Sequence, residues 1–166
     1  MNSVNTTTDN TNELTEQIQS ALSAGASMAE IQGISKYTLE GVYAYAYDFY
    51  EKGRLDDAEL FFKFLCIYDF QNADYLKGYA AVCHLKKQYQ RAYDLYGLSF
   101  TVNHKFDYSP IYLMGQCQLC LKNIEMAKSC FESVVLYSKD DDLISKASTY
   151  LGLFGNTPSE VEEVAS

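Results

Sequence analysis

The sequence has no tryptophan, only two prolines, few basic residues and no long apolar run. With proline so rare, long helices can continue without interruption. No stretch approaches the roughly 20 apolar residues that a membrane-spanning helix requires. The 13 basic residues are outnumbered by 22 acidic ones, and the net charge of −9 disfavours contact with nucleic acid or anionic lipid. Because the first residues also lack the features of a signal peptide, we expect a cytoplasmic protein without a nucleic-acid or membrane partner.

Residues that could perform catalysis or hold a metal are equally scarce. The sequence contains no glycine-rich phosphate loop and none of the common hydrolase or metalloprotease motifs. Cys117 and Cys120 form a CxxC pair, but there is no second CxxC and no closely spaced histidine pair to complete a zinc site. His84 and His104 have no nucleophile motif beside them. We predict structural cysteines, no enzymatic activity, no cofactor and no metal.

What the sequence does contain is a repeated helical hairpin, seen first between Leu39 and Asn72. Two apolar patterns with helical spacing lie on either side of Gly53, where a tight turn needs a residue without Cβ. The residues of the predicted packing faces are Val42, Tyr45, Ala46 and Phe49 in the first pattern, and Leu55, Ala58, Phe62 and Leu65 in the second.

The hairpin recurs with a period near 34 residues. From Ala58 to Ala92 is 34 positions, and from Ala92 to Ala127 is 35. Three kinds of position repeat with it: a turn residue (Gly53, Lys87, Lys122), a small packing residue (Ala46, Ala80, Gly115) and a large aromatic residue (Phe62, Tyr96, Phe131). This period is typical of tetratricopeptide repeats. We predict an all-α fold in which three such repeats form a concave α-solenoid.

The rest of the chain is predicted to cover the two ends of the repeats, because the end of a repeat array is apolar. The predicted segments are a disordered polar tail (1–12), an N-terminal helical segment (13–34), a repeat domain (35–154) and a flexible tail (155–166). Within the repeat domain, the repeats are predicted at about 39–72, 73–106 and 108–141, and a capping helix at 143–154. Leu14, Ile18 and Leu22 form an apolar stripe in the N-terminal segment. Either the repeats or a second copy of the chain must bury this stripe, and the second alternative gives a homodimer.

Tyrosine is the unusual component, with 15 copies. Tyr43, Tyr47 and Tyr50 stand at i, i+4 and i+7 on the first helix, opposite the predicted packing face. In tetratricopeptide hairpins this side of the first helix lines the concave groove, and tyrosines there would favour protein binding. In the alternative interpretation, some of these tyrosines cover neighbouring helices. The same register gives Lys77, Ala81 and His84 in the second repeat, and Tyr112, Gln116 and Leu119 in the third.

Two segments carry a more specific resemblance. They are YAYAYDFYEKGRLDDAELFFKFLCIYDFQNADYLKGYAAV, from Tyr43, and YSPIYLMGQCQLCLKNIEMAKSCFE, from Tyr108. Both resemble the class II chaperones of type III secretion systems, the SycD/IpgC-like translocator chaperones of Gram-negative pathogens, and the similarity extends over about residues 14–154. The resemblance implies a bacterial cytoplasmic chaperone that keeps two hydrophobic translocator proteins soluble before export. It also implies that an extended segment near the translocator's N-terminus, of the Pro-x-Leu-x-x-Pro type, lies in the groove.

The resemblance adds groove residues to those chosen from the helical register. These are Phe64, Tyr68 and Phe70 in the first repeat and Tyr96 in the second. Lys77 and His84 depart from a purely apolar groove. Two other functions stay open: a general repeat adaptor, and, as in some members of the family, a co-activator that binds an AraC-type transcription activator. The chain could also form a homodimer through the N-terminal segment, as family members do, or act as a monomer.

Overall fold

The computed structural model describes residues 17, 20–21, 23–103 and 107–155, and every regular element among them is helical. The helices are α1 (Met28–Ile31), α2 (Lys36–Glu51), α3 (Leu55–Tyr68), α4 (Ala73–Leu85), α5 (Tyr89–Val102), α6 (Ser109–Cys120), α7 (Ile124–Tyr137) and α8 (Asp141–Gly155). The predicted all-α fold is confirmed, with hairpins α2–α3, α4–α5 and α6–α7 followed by α8. No helix among the described residues is long and apolar enough to cross a membrane.

The chain divides into two compact units, an N-terminal unit up to Tyr75 and a C-terminal unit from Leu76 onward. Several predictions concern residues outside the described ranges, and they stay predictions. These are the tail at 1–12, the dimer stripe of Leu14, Ile18 and Leu22, the residue His104, and the tail from 156 onward.

The core of the N-terminal unit is formed between α2 and α3. From α3, Ala58, Phe62 and Leu65 are buried, as the helical spacing predicts. From α2, Leu39 and Ala46 are buried. The small residue at position 46 and the large ring at position 62 therefore occupy the interior positions that the repeat pattern assigns to them.

One part of the predicted packing face is wrong, because Tyr45 is 65% exposed. The buried positions Leu39 and Ala46, together with half-buried Tyr43 and Tyr50, place the centre of the packing face on the side of the tyrosines. The observed packing face of α2 is thus rotated about the helix axis relative to the predicted face. The rotation is somewhat less than the roughly 100° that separates successive residues of a helix. Aromatic residues follow one another so closely along α2 that its apolar pattern does not define a unique face.

The core of the C-terminal unit joins α7 to the capping helix α8. Its buried cluster consists of Ala127, Phe131, Val134, Leu143 and Ala147. Gly115 on α6 lies directly against Phe131, since a Cβ at this glycine would stand 2.7 Å from Phe131 Cε1. The small residue predicted here is therefore required by close packing of α6 on α7.

The turns inside the three hairpins share one backbone conformation. Gly53 has φ = 70°, and the equivalent residues Lys87 and Lys122 have φ values of 60° and 63° although they carry side chains. Each turn is closed by a 2.9 Å backbone hydrogen bond, from Arg54 N to Phe49 O, from Gln88 N to Cys83 O and from Asn123 N to Gln118 O. The same helix-ending motif is therefore built three times, once with glycine and twice without it.

Candidate protein-binding site

The predicted tyrosine stripe on α2 forms a continuous group of aromatic rings in the N-terminal unit. We call Tyr43, Tyr47 and Tyr50 the tyrosine cluster. Ring centroids of Tyr43 and Tyr47 are 5.5 Å apart, and those of Tyr47 and Tyr50 are 5.9 Å apart. The ring of Tyr43 also contacts Phe62 at 6.0 Å and Tyr75 at 5.3 Å. The cluster thus covers part of the core, while Tyr47 also exposes its ring. Its role in a binding groove stays a prediction.

Burial and nearby ionisable groups keep the hydroxyl groups of Tyr43 and Tyr50 protonated. Desolvation, followed by the proximity of Tyr47, Asp74 and Tyr75, raises the pKa of Tyr43 to about 12. Burial likewise raises the pKa of Tyr50. Tyr47 is the most accessible member, with 44% of its surface exposed. The cluster therefore presents apolar ring surface and neutral hydroxyl groups, a combination that suits contact with another polypeptide.

Phe64 and Tyr68, which the family resemblance adds to the groove, form a separate aromatic pair on α3. Their ring centroids are 4.4 Å apart. Phe64 also lines an apolar cleft of about 350 Å³ with Val42, Leu60 and Phe61. In the part of the chain that the structure describes, no ring contact connects this pair to the tyrosine cluster. The N-terminal unit therefore has two distinct aromatic surfaces.

The remaining residues of the predicted groove differ in accessibility. Phe70 is exposed in the turn after α3, and Ala81 is half-buried on α4. Leu119 packs on the core cluster of the C-terminal unit. Tyr96 is only 1% exposed. The sequence gives Tyr96 two roles, as a core residue and as a groove residue, and its burial fits the first.

Lys77 connects α4 to the start of α6. Its Nζ donates to Asp107 Oδ2 over 3.1 Å. The same carboxylate accepts the backbone N–H of Ser109 at 2.8 Å and the Ser109 hydroxyl at 2.8 Å. Burial would raise the pKa of Asp107, but these hydrogen bonds and the charge of Lys77 outweigh it and hold the pKa below its ordinary value. Asp107 therefore acts as an ionised cap for α6.

We expect Asp107→Ala to lower the free energy of unfolding by about 1 kcal/mol at neutral pH, because a helix-start cap is lost. The half-exposed ion pair with Lys77 adds little to this figure. Since the pKa of Asp107 is lowered on folding, its contribution is complete above the ordinary value of 3.8 and declines as the pH falls below it. Urea unfolding at several pH values tests this. A difference between wild type and variant that stays constant down to pH 3 would contradict the assigned role.

His84 and the CxxC pair lie together but lack the properties of a reactive site. His84 Nδ1 is 3.8 Å from Cys117 Sγ. Burial lowers the pKa of His84, so the ring is neutral at pH 7. Burial, reinforced by Cys120 and Cys130, raises the pKa of Cys117 to about 12, which leaves no thiolate to act as a nucleophile. These properties fit the structural role predicted for Cys117.

In the third hairpin, the predicted residues Tyr112 and Gln116 contact Tyr150, which was not predicted from the sequence. Gln116 Nε2 donates to the hydroxyl oxygens of Tyr112 and Tyr150, in each case over 3.3 Å. Tyr150 belongs to the capping helix α8, 34 residues from Gln116. Periodicity within a repeat carries no information about such a contact. Among the described residues, no group of histidine, cysteine, aspartate and glutamate side chains could hold a metal ion.

Comparison with known proteins identifies the family. The profile of the tetratricopeptide repeat family matches residues 39–72 and 73–105. The chaperone SicA of Salmonella dublin is 51% identical over 136 residues, and the alignment covers 82% of each chain. The chain belongs to the class II chaperones of type III secretion systems. Membership in this chaperone family confirms the prediction that the protein is not an enzyme.

Two further relatives of this chaperone are informative. The uncharacterized protein YgeG of Escherichia coli K12 is 45% identical over 152 residues, covering 92% of this chain and 93% of YgeG. PcrH, a protein of Pseudomonas aeruginosa, has a crystal structure in complex with the chaperone binding region of PopB. That structure matches with a TM-score of 0.66 and 26% identity, covering 71% of this chain and 98% of the matched chain.

Proposed function

We propose that this chaperone binds the two hydrophobic translocator proteins of a type III secretion system in the bacterial cytoplasm and keeps them soluble until export. It holds an extended segment near the translocator's N-terminus, of the Pro-x-Leu-x-x-Pro type, in the predicted groove. Family membership supports the general activity, and PcrH binds the chaperone binding region of PopB. The observation that supports the proposed contact with the translocator segment is the tyrosine cluster. Its rings contact one another and are partly exposed.

The tyrosine cluster has properties that a peptide-binding surface needs. Its rings are already packed on Phe62 and on one another, so little side-chain entropy is lost when a partner binds. The apolar side chains of a translocator segment can pack between the rings, and the neutral hydroxyl groups can satisfy its backbone. A proline-containing segment is already extended and gives up little entropy itself.

The surrounding charge and the energetics fit a holding chaperone. A translocator carries apolar segments that would associate with one another if they were left uncovered. The net charge of −9 favours solubility of the complex. Binding and release follow mass action, so the proposed activity requires no nucleotide or cofactor.

The test is co-expression with a candidate translocator gene, followed by affinity purification. We expect the wild-type chaperone to keep the translocator soluble. The variant in which Tyr43, Tyr47 and Tyr50 are all alanine should lose most of it, because the principal contact surface is removed. Tyr37→Ala is the matched control, since Tyr37 lies on the same helix but is 85% exposed and has no ring contact among the described residues.

Two results would count against the proposal. The first is a translocator that stays insoluble beside a well-folded wild-type chaperone, which would favour an adaptor or an AraC-type co-activator role. The second is a triple variant that keeps both its helical circular dichroism spectrum and its full capacity for translocator. In that case translocator binding would not depend on the tyrosine cluster.

A further inference from the structure

Three polar side chains of the C-terminal unit form a hydrogen-bonded cluster that we call the amide clamp: Tyr112 and Gln116 on α6, and Tyr150 on α8. Gln116 occupies the centre, and its Nε2 donates to both tyrosine hydroxyl oxygens at 3.3 Å. All three side chains are half-buried, so they are fixed by neighbours yet reachable from the surface.

The aromatic core beneath the clamp determines the position of its members. The ring of Tyr150 stacks on buried Phe131 with centroids 4.6 Å apart and planes only 2° from parallel. The ring of Tyr112 contacts Phe131 at 5.7 Å and Tyr150 at 6.0 Å. The two hydroxyl groups are therefore held near the Gln116 amide nitrogen before any ligand binds.

The hydrogen-bonding capacity of the clamp is only partly used. A glutamine amide has two N–H donors and one carbonyl acceptor, and both of the donors of Gln116 are directed to tyrosine oxygens. Its Oε1 accepts no hydrogen bond from the residues that the structure describes. Burial, the proximity of Tyr150 and a hydrogen bond between the two hydroxyl groups raise the pKa of Tyr112, so Tyr112 is the donor of that bond. The Tyr150 oxygen therefore accepts from Tyr112 and from Gln116, which leaves the Tyr150 proton to be donated. A free acceptor and a free donor thus lie side by side.

The electrostatics of the clamp favour a neutral ligand. Burial raises the pKa of Tyr112, and the neighbouring Tyr150 raises it further, so this hydroxyl stays protonated. The charge of Lys146 acts on Tyr112, but this lysine forms an ion pair with Asp142 at 2.5 Å. A carboxylate or phosphate would therefore have to compete with Asp142 for this lysine, whereas an uncharged peptide group would not.

We propose that the amide clamp binds the backbone of an extended translocator segment. Gln116 Oε1 accepts a backbone N–H, and the Tyr150 hydroxyl donates to a backbone carbonyl. An extended peptide has unpaired groups of both kinds, and a clamp that reads only the backbone can hold two translocators of different sequence. The proposal rests on the proposed chaperone function and assigns a backbone contact to the C-terminal unit.

The experiment measures binding of a synthetic peptide that covers the translocator's Pro-x-Leu-x-x-Pro segment and its flanks to the full-length chaperone. We expect Gln116→Met and Tyr150→Phe each to weaken binding by about threefold to tenfold, the usual effect of losing one hydrogen bond. Tyr150→Phe retains the ring that stacks on Phe131, so its melting temperature should stay near that of the wild type. Tyr137→Phe is the matched control, because it removes a hydroxyl from an exposed tyrosine on α7.

A backbone contact has a signature that a purely structural role would lack. N-methylation of the peptide at one particular non-proline position should weaken binding to the wild type by a similar factor. The same N-methylated peptide should lose no further affinity for Gln116→Met, because the two changes remove the same hydrogen bond. The proposal would be overturned if N-methylation, at every position tried, weakened binding to Gln116→Met by the same factor as binding to the wild type.

The failure of the clamp and the failure of the chaperone function can be told apart. If Gln116→Met and Tyr150→Phe bind the peptide as the wild type does, while the triple alanine variant of the tyrosine cluster does not, the clamp is wrong and the chaperone proposal stands. If the wild type binds neither the peptide nor the whole translocator, both proposals fail together. Variants that only lower the melting temperature would show that the cluster is structural.

Discussion

Replacing Phe131 with alanine is expected to lower the free energy of unfolding of the C-terminal unit by about 3–5 kcal/mol, the typical cost of removing a buried phenylalanine ring. Phe131 is fully buried and contacts residues of two other helices, α6 and α8. It stacks on Tyr150, contacts Tyr112 and lies against Gly115, where the backbone of α6 comes closest. Its removal leaves a cavity that the surrounding helices can fill only in part.

Urea unfolding followed by circular dichroism measures this loss. Leu136→Ala is the matched control, because Leu136 lies on the same helix α7 but is 71% exposed. The control should change the free energy of unfolding by no more than about 0.5 kcal/mol. A loss below 1 kcal/mol for Phe131→Ala would mean that this ring does not organise the packing of α6, α7 and α8.

Tyr47→Ala is expected to weaken binding of the translocator segment by about 30-fold, which corresponds to the roughly 2 kcal/mol of an interface hot spot. Tyr47 is the most exposed ring of the tyrosine cluster and lies between Tyr43 and Tyr50. Its ring also contacts Phe62 at 6.4 Å, so a stability loss of about 0.5–1.5 kcal/mol accompanies the change. Binding should therefore suffer more than folding.

Calorimetric titration with the peptide and a thermal melt, carried out on the same preparation, separate the two effects. Tyr37→Ala again provides the comparison within α2 and should match the wild type in both measurements. If Tyr47→Ala unfolds at the growth temperature of the host bacterium, Tyr47 belongs to the core. The binding surface would then have to lie elsewhere on the protein.

The hairpins and their closest contacts could be predicted from the sequence because these depend on local periodicity. Residues that repeat every 34 or 35 positions, such as Ala58, Ala92 and Ala127, are all buried as expected. The pairing of a small residue with a large ring was also predictable, since Gly115 and Phe131 occupy the same repeat positions as Ala46 and Phe62. These features follow from geometry that each repeat must satisfy within itself.

The orientation of α2 could not be predicted to the same accuracy. Tyrosine has an apolar ring and a polar tip, so it is compatible with the core and with the surface. In a helix with a tyrosine on every side, the apolar pattern alone cannot decide between Tyr43 and Tyr45. Contact with Phe62 on α3 decides it in the folded protein, and that contact involves packing between two helices.

The amide clamp illustrates a second limit. Tyr112 and Gln116 follow from the repeat register, whereas Tyr150 lies in a helix that has no counterpart within the repeats. Its place beside Gln116 depends on how α8 packs on α7, through Leu143 and Ala147. The one signal available in the sequence was the position of Tyr150 in a helix that must cover an apolar end.

The left-handed turns at Lys87 and Lys122 have a consequence for how repeat proteins diverge. The left-handed conformation costs a residue with a side chain about 1–2 kcal/mol, yet both hairpins adopt this conformation. A loop of another length would change the angle at which the second helix meets the first, and the contact between Gly115 and Phe131 leaves no room for that. Within this chain, the turn conformation is thus kept where the residue type changes. The repeat profile matches the hairpin α4–α5, whose turn residue is Lys87, so glycine at this position is not what defines a tetratricopeptide hairpin.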